Sequence, residues 1–402
     1  MKQKAKILLY STHLEFPFWG GSEQFWYDVL LDRRMLEQFA CKVLVGDSPL
    51  IREKAGHLKH WGTEVQLYCV KPASLLARIA RRIRRELLAR DGGYVPYPRL
   101  IKEIVESRPA LVWFNLTTAS DALLLGSAAK ACQKRGIPYW LLVHHTHENF
   151  FLPDSEQTER CSAVFEGARR VICLSRRNRA ALERMIGRHL QNVWMTVNGV
   201  RAQFLEQAST VARSCPVNTQ DAARFVNIAR FEPSFKGQHI LLEIFSDAQW
   251  RAREWVLLLQ SGGGLSRLLS RLIDYYGLPR GRVLLGDYNP DVLQVLTESD
   301  LFLMPSLSEG MPFALLEAMA CGRPALGTPV GGIPELVLEG ETGWIARSTE
   351  TADVADALER AWSARTMWPL IGEKAQAMVK TLYNQEITIA KFVAALQQDI
   401  GG

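Results

Sequence analysis

Two glutamates, Glu309 and Glu317, lie eight positions apart in the sequence, on either side of a Gly-Met-Pro turn. Pro312 suits the first turn of a helix, and residues 313–320 form an apolar, helix-favouring run that Gly322 closes. Eight residues of helix rise about 12 Å. Because Glu309 is expected in the loop before the helix, that rise is the upper limit of what the helix adds to the carboxylate separation.

This arrangement suits a ligand with hydroxyl groups at both ends and a diphosphate between them. One carboxylate could bind a sugar and the other a ribose, because carboxylate oxygens accept hydrogen bonds from hydroxyls. The free backbone N–H groups of a helix N-terminus suit a diphosphate. The segment therefore has the length scale of a nucleotide-sugar site.

The segment 306–346 resembles the donor-binding signature of the retaining glycosyltransferases of family 4, which have the two-domain GT-B fold. The family pattern is Glu, seven residues, Glu, then Ala-Met-Ala-x-Gly-x-Pro, a Gly-Gly turn and a Pro-Glu pair. In this sequence the pattern is formed by Glu309, Glu317, Ala318-Met319-Ala320-Cys321-Gly322-Arg323-Pro324, Gly331-Gly332 and Pro334-Glu335. Such an ordered run is far more specific than two acids at this spacing.

The resemblance implies that Glu309 holds the hydroxyls of the donor sugar and stabilises an oxocarbenium-like centre. It implies that Glu317 holds the hydroxyls of the ribose. The residues that join the two glutamates are also expected to bind the donor: Gly310, Met311, Pro312 and Phe313.

Two cations, Arg230 and Lys236, follow a predicted strand in the sequence ARFEPSFKGQ. The resemblance implies that they grip the donor diphosphate, where cations stabilise the charge of a leaving nucleoside diphosphate. Taken alone, such a pair is more often two solvated loop cations. The sequence contains no Asp-x-Asp to hold a divalent metal, so no metal and no cofactor is expected.

Glycine-rich turns follow several predicted strands. Gly20, Gly21 and Glu23 resemble the family's Gly-Gly-x-Glu loop, which implies contact with the acceptor or a phosphate. The alternative is a tight strand-to-helix turn with a serine N-cap. Gly262 and Gly286 match family turns that shape the pocket for the base and diphosphate, although neither belongs to a G-x-G-x-x-G dinucleotide fingerprint.

A group of histidines, His144, His145 and His147, closes the predicted strand 139–143. The family has a histidine here that contacts the transferred sugar, and we favour His145 over His144 for this catalytic role. Zinc binding is an alternative because the spacing His-x-His on a strand can chelate. A satisfied structural histidine is expected for whichever residue is not used. Further along, 198–200 resembles the family's Asn-Gly-Val, with Val197 in place of proline.

Short apolar runs alternate with helical stretches, which predicts parallel sheets covered on both faces. We predict an α/β protein with the GT-B fold, two doubly wound Rossmann-like domains facing across a cleft. The domains are 1–200, an acceptor-binding domain, and 223–385, a nucleotide-sugar donor-binding domain, joined by a linker at 201–222. The C-terminal helix, 386–402, is expected to cross back to the first domain.

Composition fits a globular protein with two cores: the chain has 402 residues, of which 48% are hydrophobic and 22% charged. Seven scattered cysteines without a C-x-x-C pair favour the reducing cytoplasm. Residues 7–10 are too short for a signal-peptide core and predict a first strand. No run approaches the ~20 apolar residues of a membrane span.

The segment 75–90, LLARIARRIRRELLAR, predicts a basic amphipathic helix. It could contact anionic lipid at the inner membrane face, since many members of the family glycosylate lipid-linked acceptors there. The alternative is a helix that packs on its own sheet and leaves a basic face in solvent. Nucleic acid is not expected as a partner, because no recognition motif accompanies the charge.

The sequence therefore predicts a retaining, metal-independent glycosyltransferase. It would transfer a sugar from a nucleotide-sugar, UDP- or GDP-linked, to a saccharide or lipid-linked acceptor. A nucleotide-sugar epimerase or hydrolase of the same fold is an alternative, and so is a non-catalytic subunit that binds a nucleotide-sugar.

Overall fold

Contacts within the computed structural model group the chain into two units, which are described separately. The described residues are 4–12, 21–68, 98–212, 222–261 and 265–401. The first unit comprises Met1–Leu174, Arg179–Thr196 and Ile389–Gly402, and the second comprises Ser175–Asn178 and Val197–Thr388. Gly20, Gly262 and the basic segment 75–90 therefore lie outside the described residues.

The first unit contains a seven-stranded parallel sheet in the order β3-β2-β1-β4-β5-β6-β7. Its register places Leu9 beside Val43 on one side and Trp113 on the other. These strands read as nearly continuous apolar runs because both faces of a parallel sheet are covered. The strands are β1 Ala5–Ser11, β2 Phe39–Gly46, β3 Glu64–Tyr68, β4 Leu111–Thr118, β5 Tyr139–His145, β6 Arg170–Cys173 and β7 Val193–Met195.

Helices connect these strands. Two helices, and not one, follow β1, because Asp32 adopts an extended backbone and caps the second helix through the N–H of Arg34. The described helices of this part are α1 Gly21–Leu31, α2 Arg33–Gln38, α3 Pro49–His60, α4 Pro98–Ser107, α5 Ala122–Gln133, α6 Ser155–Glu166 and α7 Arg176–Ile186, and a 3₁₀ turn spans Ala119–Asp121.

The second unit contains a six-stranded parallel sheet in the order β10-β9-β8-β11-β12-β13. The last strand leaves little signal in the sequence, because it has only three residues and begins with Gly343, whose missing side chain lets it approach the carbonyl of Ala325. The strands are β8 Ala223–Ile228, β9 Trp255–Gln260, β10 Val283–Gly286, β11 Leu301–Met304, β12 Ala325–Gly327 and β13 Gly343–Ile345. The two sheets confirm the predicted α/β class.

The helices of the second unit surround this sheet. Ala202–Ala212, which is part of the segment predicted as a linker, forms a helix within this unit. The described helices are α8 Ala202–Ala212, α9 Pro233–Lys236, α10 Gln238–Ser246, α11 Ala248–Arg251, α12 Ser266–Tyr275, α13 Val292–Thr297, α14 Phe313–Ala320, α15 Ile333–Leu336, α16 Thr351–Ser363 and α17 Trp368–Leu382, and a 3₁₀ turn spans Arg365–Met367.

The C-terminal helix α18, Gln385–Gly401, returns to the first unit from residue 389 onward. The ring of Phe392 lies 4.7 Å from that of Trp113 and 5.2 Å from that of Trp140. The carboxylate of Asp399 accepts hydrogen bonds from the indole of Trp140 and from two nitrogens of Arg170. Apolar contacts and a buried carboxylate thus fasten this helix to the first sheet.

Among the described residues, no helix is both long and apolar enough to cross a membrane.

Candidate active site

The loop after β11 carries Glu309 at the carboxyl edge of the second sheet. This side chain is 9% exposed, and its Oε1 accepts hydrogen bonds from Lys236 Nζ at 2.6 Å and from Ser306 Oγ at 2.9 Å. In the described part of the chain no hydrogen bond reaches the other oxygen, Oε2. One oxygen is thereby fixed by the protein, while the second remains able to accept a hydrogen bond from a ligand.

The short helix α9 places Lys236 beside this loop. The backbone carbonyl of Phe235 accepts a hydrogen bond from Leu307 N at 2.8 Å, which joins the two segments. Gly237 ends α9 with φ of 65°, and a Cβ there would overlap the carbonyl oxygen of Pro305. Glycine is therefore required where the backbone after Lys236 passes the loop that carries Glu309.

The turn at Gly331 and Gly332 packs against the loop that carries Glu309. Gly331 has φ of 53°, and a Cβ on it would overlap the carbonyl of Glu309. The N–H of Gly332 donates to the carbonyl of Gly310 at 2.6 Å. The two glycines of the sequence motif thus let one backbone lie directly against another.

Glu317 lies on α14, which begins after Pro312 without a side-chain cap. Burial raises the pKa of the Glu317 carboxyl to about 7, against the opposing effect of the positive charge on Arg201. The side chain keeps some contact with solvent, and no hydrogen bond from a described residue reaches its carboxylate. A partly buried carboxyl without a donor partner is well suited to accept hydroxyl groups of a ligand.

The other predicted cation, Arg230, follows β8. Its guanidinium lies 3.2 Å from Glu232, and the side chain is 54% exposed. Lys236 and Glu309 form an ion pair, and among the described residues no hydrogen bond or ion pair joins Arg230 or Glu317 to either of them. Arg230 is thus held only weakly by the protein, since exposed ion pairs contribute little.

Gly310, Met311 and Pro312 form the turn between Glu309 and α14, and Phe313 is the first residue of that helix. Sequence reasoning gave no role to the residues that hold this turn. Ser306 is fully buried, and its carbonyl accepts from the hydroxyl of Thr328. The sequence feature that could have indicated this supporting role is a hydroxyl residue directly after an apolar strand, because a buried hydroxyl needs a hydrogen-bond partner.

Asn198 also supports the turn, donating a hydrogen bond from Nδ2 to the carbonyl of Met311 at 2.7 Å. The resemblance to the family's Asn-Gly-Val marked this residue, but not its partner 113 positions away. Gly286 ends β10 beside the side chain of Gln260, which donates to the carbonyl of Asp287.

The histidines lie in the first unit, at the end of β5. His144 is buried, and its Nε2 lies 2.8 Å from Oδ1 of Asn115, whose Nδ2 donates to Ser11 at 3.2 Å. His145 is partly exposed, and its ring lies 4.3 Å from that of His147. Burial lowers the pKa of His147, which favours its neutral form.

The zinc alternative finds no support in the described residues. Among them, no three or more His, Cys, Asp or Glu side chains form a group that could hold a metal ion. In the same unit, Gly21 begins α1, and Glu23 is fully buried in its first turn.

Known structures resemble the chain over nearly its whole length. The Anabaena protein Alr3699/HepE in complex with UDP superimposes with a TM-score of 0.71 at 18% identity, covering 98% of this chain and 100% of that one. Sucrose-phosphate synthase from Thermosynechococcus elongatus gives 0.72 at 17% identity, with 98% and 99% covered. At these identities the likeness establishes the fold, which is the GT-B fold of glycosyltransferases.

A family match lies in the second unit. Residues 222–364 match the family described as Glycosyl transferases group 1. The resemblance inferred from the sequence is confirmed at the level of this match. Assignment to family 4 is consistent with the match.

Curated relatives match over shorter segments. N-acetyl-alpha-D-glucosaminyl L-malate synthase of Bacillus anthracis is 36% identical over 111 residues, which are 28% of this chain and 29% of the relative. The putative colanic acid biosynthesis glycosyltransferase WcaL of Escherichia coli K12 is 29% identical over 182 residues, 43% of this chain and 44% of WcaL. The matches span less than half the length of these relatives.

Proposed function

We propose that the chain is a retaining glycosyltransferase that moves a sugar from a nucleotide-sugar to an acceptor hydroxyl. The observation that carries the proposal is that both glutamates of the sequence motif, Glu309 and Glu317, have a carboxylate oxygen able to accept hydrogen bonds from a ligand. Glu309 is oriented through one oxygen by Lys236 and Ser306, and its other oxygen is open. Glu317 has a raised pKa and no hydrogen-bond donor among the described residues.

Lys236 would act on the donor diphosphate. Its ammonium is a compact cation with three N–H donors, so it can keep the bond to Glu309 and also bind a phosphate oxygen. Negative charge grows on the diphosphate as the bond to the sugar breaks, and a fixed cation stabilises that charge. The exposed guanidinium of Arg230 would add a second cation. No metal or cofactor is needed for this step in our proposal.

The proposed reaction exchanges two bonds at the anomeric carbon. The bond from this carbon to the phosphate oxygen breaks, and a bond to the acceptor oxygen forms on the same face of the sugar. The proton of the acceptor hydroxyl passes to the departing phosphate. Glu309 would stabilise the positive charge on the sugar ring and would hold its hydroxyls, while Glu317 holds the ribose.

The partners proposed for this site are a UDP- or GDP-linked sugar and a saccharide or lipid-linked acceptor. HepE was solved with UDP and with UDP-glucose, and WcaL is named for colanic acid biosynthesis. His145, His144, Glu23 and the loop at Gly20 and Gly21 are proposed to act in the first unit, on the sugar or acceptor side.

The test is to incubate the protein with radiolabelled UDP- and GDP-sugars and a panel of saccharide and lipid-linked acceptors. We expect one sugar to be transferred, and proton NMR of the product to show the anomeric configuration of the donor. Conversion of the donor without an acceptor would favour an epimerase or hydrolase. Transfer with inverted configuration would refute the retaining mechanism.

A further inference from the structure

Within the described residues, the Asn198 side chain makes one hydrogen bond, and this bond reaches the turn between the two glutamates. The residue is 2% exposed, and its Nδ2 donates to the carbonyl oxygen of Met311 at 2.7 Å. Its amide oxygen Oδ1 is buried and has no hydrogen-bond partner among the described residues. A buried amide with an unsatisfied oxygen is a costly way to gain stability, which points to a requirement at the turn itself.

The backbone that carries Asn198 is held rigidly. A Cβ on Gly199 would overlap the backbone of Gln385, so the two segments lie in close contact. Val200 donates from its N–H to the carbonyl of Tyr383 at 2.8 Å, and the N–H of Gln385 donates to Val200 at 3.1 Å. Asn198 therefore reaches the turn from a fixed platform within the second unit.

The carbonyl of Met311 lies just outside helix α14. Pro312 is the N-cap residue and makes no side-chain cap, and its carbonyl is the one that accepts from Leu316 at 3.3 Å. The helical ladder consequently does not use the Met311 carbonyl. Because Pro312 has no N–H, the Asn198 amide is the group that sets the orientation of the peptide between Met311 and Pro312.

We propose that Asn198 is a positioning residue for the diphosphate of the donor. It fixes the peptide that enters α14, and so directs the free N–H groups of the first turn of that helix toward the phosphates. This inference rests on the proposed function. In this proposal Asn198 affects the binding of the phosphates through the turn, whereas Glu317 binds the ribose.

The experiment compares wild type with Asn198→Asp, which has nearly the same shape but lacks the N–H donor, and with Asn198→Ala. Titrations use UDP, GDP or ADP, whichever the wild type binds, and the matching nucleoside without phosphates. We expect the Kd of the nucleoside diphosphate to rise at least tenfold in both variants and that of the nucleoside to stay within threefold. The donor KM should rise in parallel, while kcat changes by less than about threefold.

Asn192→Ala is the matched control. Its amide also donates to backbone carbonyls, those of Phe165 and Ala168 at 2.9 and 2.7 Å, but in the first unit. It should alter the melting temperature without changing nucleotide affinity. Should one Asn198 variant fail to fold, the other decides the result.

Equal losses for nucleoside and nucleoside diphosphate, or unchanged affinity for both, would overturn the positioning role while leaving the proposed function intact. A folded wild type that binds none of UDP, GDP and ADP would overturn both. The two ideas are thus separated by the wild-type titration, which tests the function, and by the ratio of affinities in the variants, which tests Asn198.

Discussion

At the scale of single residues, the chemistry of the site depends on how each carboxylate is held. One oxygen of Glu309 accepts hydrogen bonds from Lys236 and Ser306, whereas burial raises the pKa of Glu317 to about 7. The first carboxylate already has its ion-pair partner, Lys236, in place. The second can gain or lose a proton near neutral pH, so its ligand affinity should depend on pH.

Donor affinity is expected to fall below neutral pH through Glu317. Ribose hydroxyls donate to the ionised carboxylate, and this form is depleted as the pH drops through about 7. The Kd should therefore rise roughly tenfold between pH 8 and pH 6. Calorimetric titration over this range checks it. Glu317→Gln should bind weakly at every pH, and a wild-type Kd that is flat over this range would contradict the assignment.

Lys236→Ala should reduce kcat/KM for the donor by at least about 100-fold, because it removes the cation that meets the leaving diphosphate. It also leaves Glu309 buried without its ion-pair partner. Lys42→Ala is a suitable control, since Lys42 is similarly enclosed and pairs with Glu64 and Glu103 in the first unit. That variant should lose stability but keep donor kinetics. Unchanged kinetics in Lys236→Ala would refute the role.

At the scale of elements, glycines allow loops of the site to lie against one another. Gly331→Ala is expected to weaken both stability and donor binding, because its Cβ would overlap the Glu309 carbonyl. Gly340 also has a positive φ, 70°, but nothing lies within 4 Å of a Cβ there.

The alanine variant at Gly340 should therefore lose only the left-handed backbone preference, about 1 kcal/mol. Gly331→Ala should lose clearly more than that in urea unfolding, and its donor Kd should increase. Equal losses of unfolding free energy in the two variants would show that the close approach at Gly331 does not matter.

The C-terminal helix provides a second test at this scale. Burial raises the pKa of Asp399, but hydrogen bonds from Arg170 and Trp140 outweigh it, and the net pKa is lowered. The stabilisation is therefore present above the ordinary carboxyl pKa and is lost as the pH falls through the lowered value. Asp399→Asn should lower the unfolding free energy by about 2–4 kcal/mol at pH 7.

Glu37→Gln is the control for that variant, because the Arg33–Glu37 pair is largely exposed and should contribute less than about 1 kcal/mol. Urea unfolding of both variants at pH 7 and at pH 3 measures the difference. A loss in Asp399→Asn no larger than in Glu37→Gln would contradict the anchoring role.

The sequence predicted elements well where one physical signal dominated. Strands such as β4 and β11 are buried on both faces and therefore read as apolar runs. β13 could not be predicted, because three residues beginning with glycine do not form an apolar run. The break between α1 and α2 depends on the conformation of Asp32, which a helix-favouring composition hides.

The site was predictable only in its parts. The motif identified Glu309, Glu317 and Lys236 as candidates, because their order along the chain is distinctive. Their geometry was not predictable, since Lys236 meets Glu309 across 73 positions and Asn198 meets Met311 across 113. The contact between Lys236 and Glu309 depends on the pairing of β8 with β11 in the sheet, which the spacing of residues does not encode.

At the scale of the whole molecule, the two units differ in how much they resemble relatives. The family match, 222–364, lies entirely in the second unit, which carries the candidate donor site. The fold likeness to HepE, by contrast, covers 98% of the chain at 18% identity. The donor side of the proposed reaction therefore rests on motif and geometry together, and the acceptor side rests on the fold and the histidines.

The most direct test is a calorimetric titration of wild type and Glu317→Ala with UDP-, GDP- and ADP-sugars at pH 8, without added metal. We expect the wild type to bind one nucleotide class, which names the donor, and the variant to bind it at least tenfold more weakly. Failure of a folded wild type to bind any of the three would contradict the proposed donor site. Equal binding by wild type and Glu317→Ala would contradict the proposal that Glu317 belongs to the donor site.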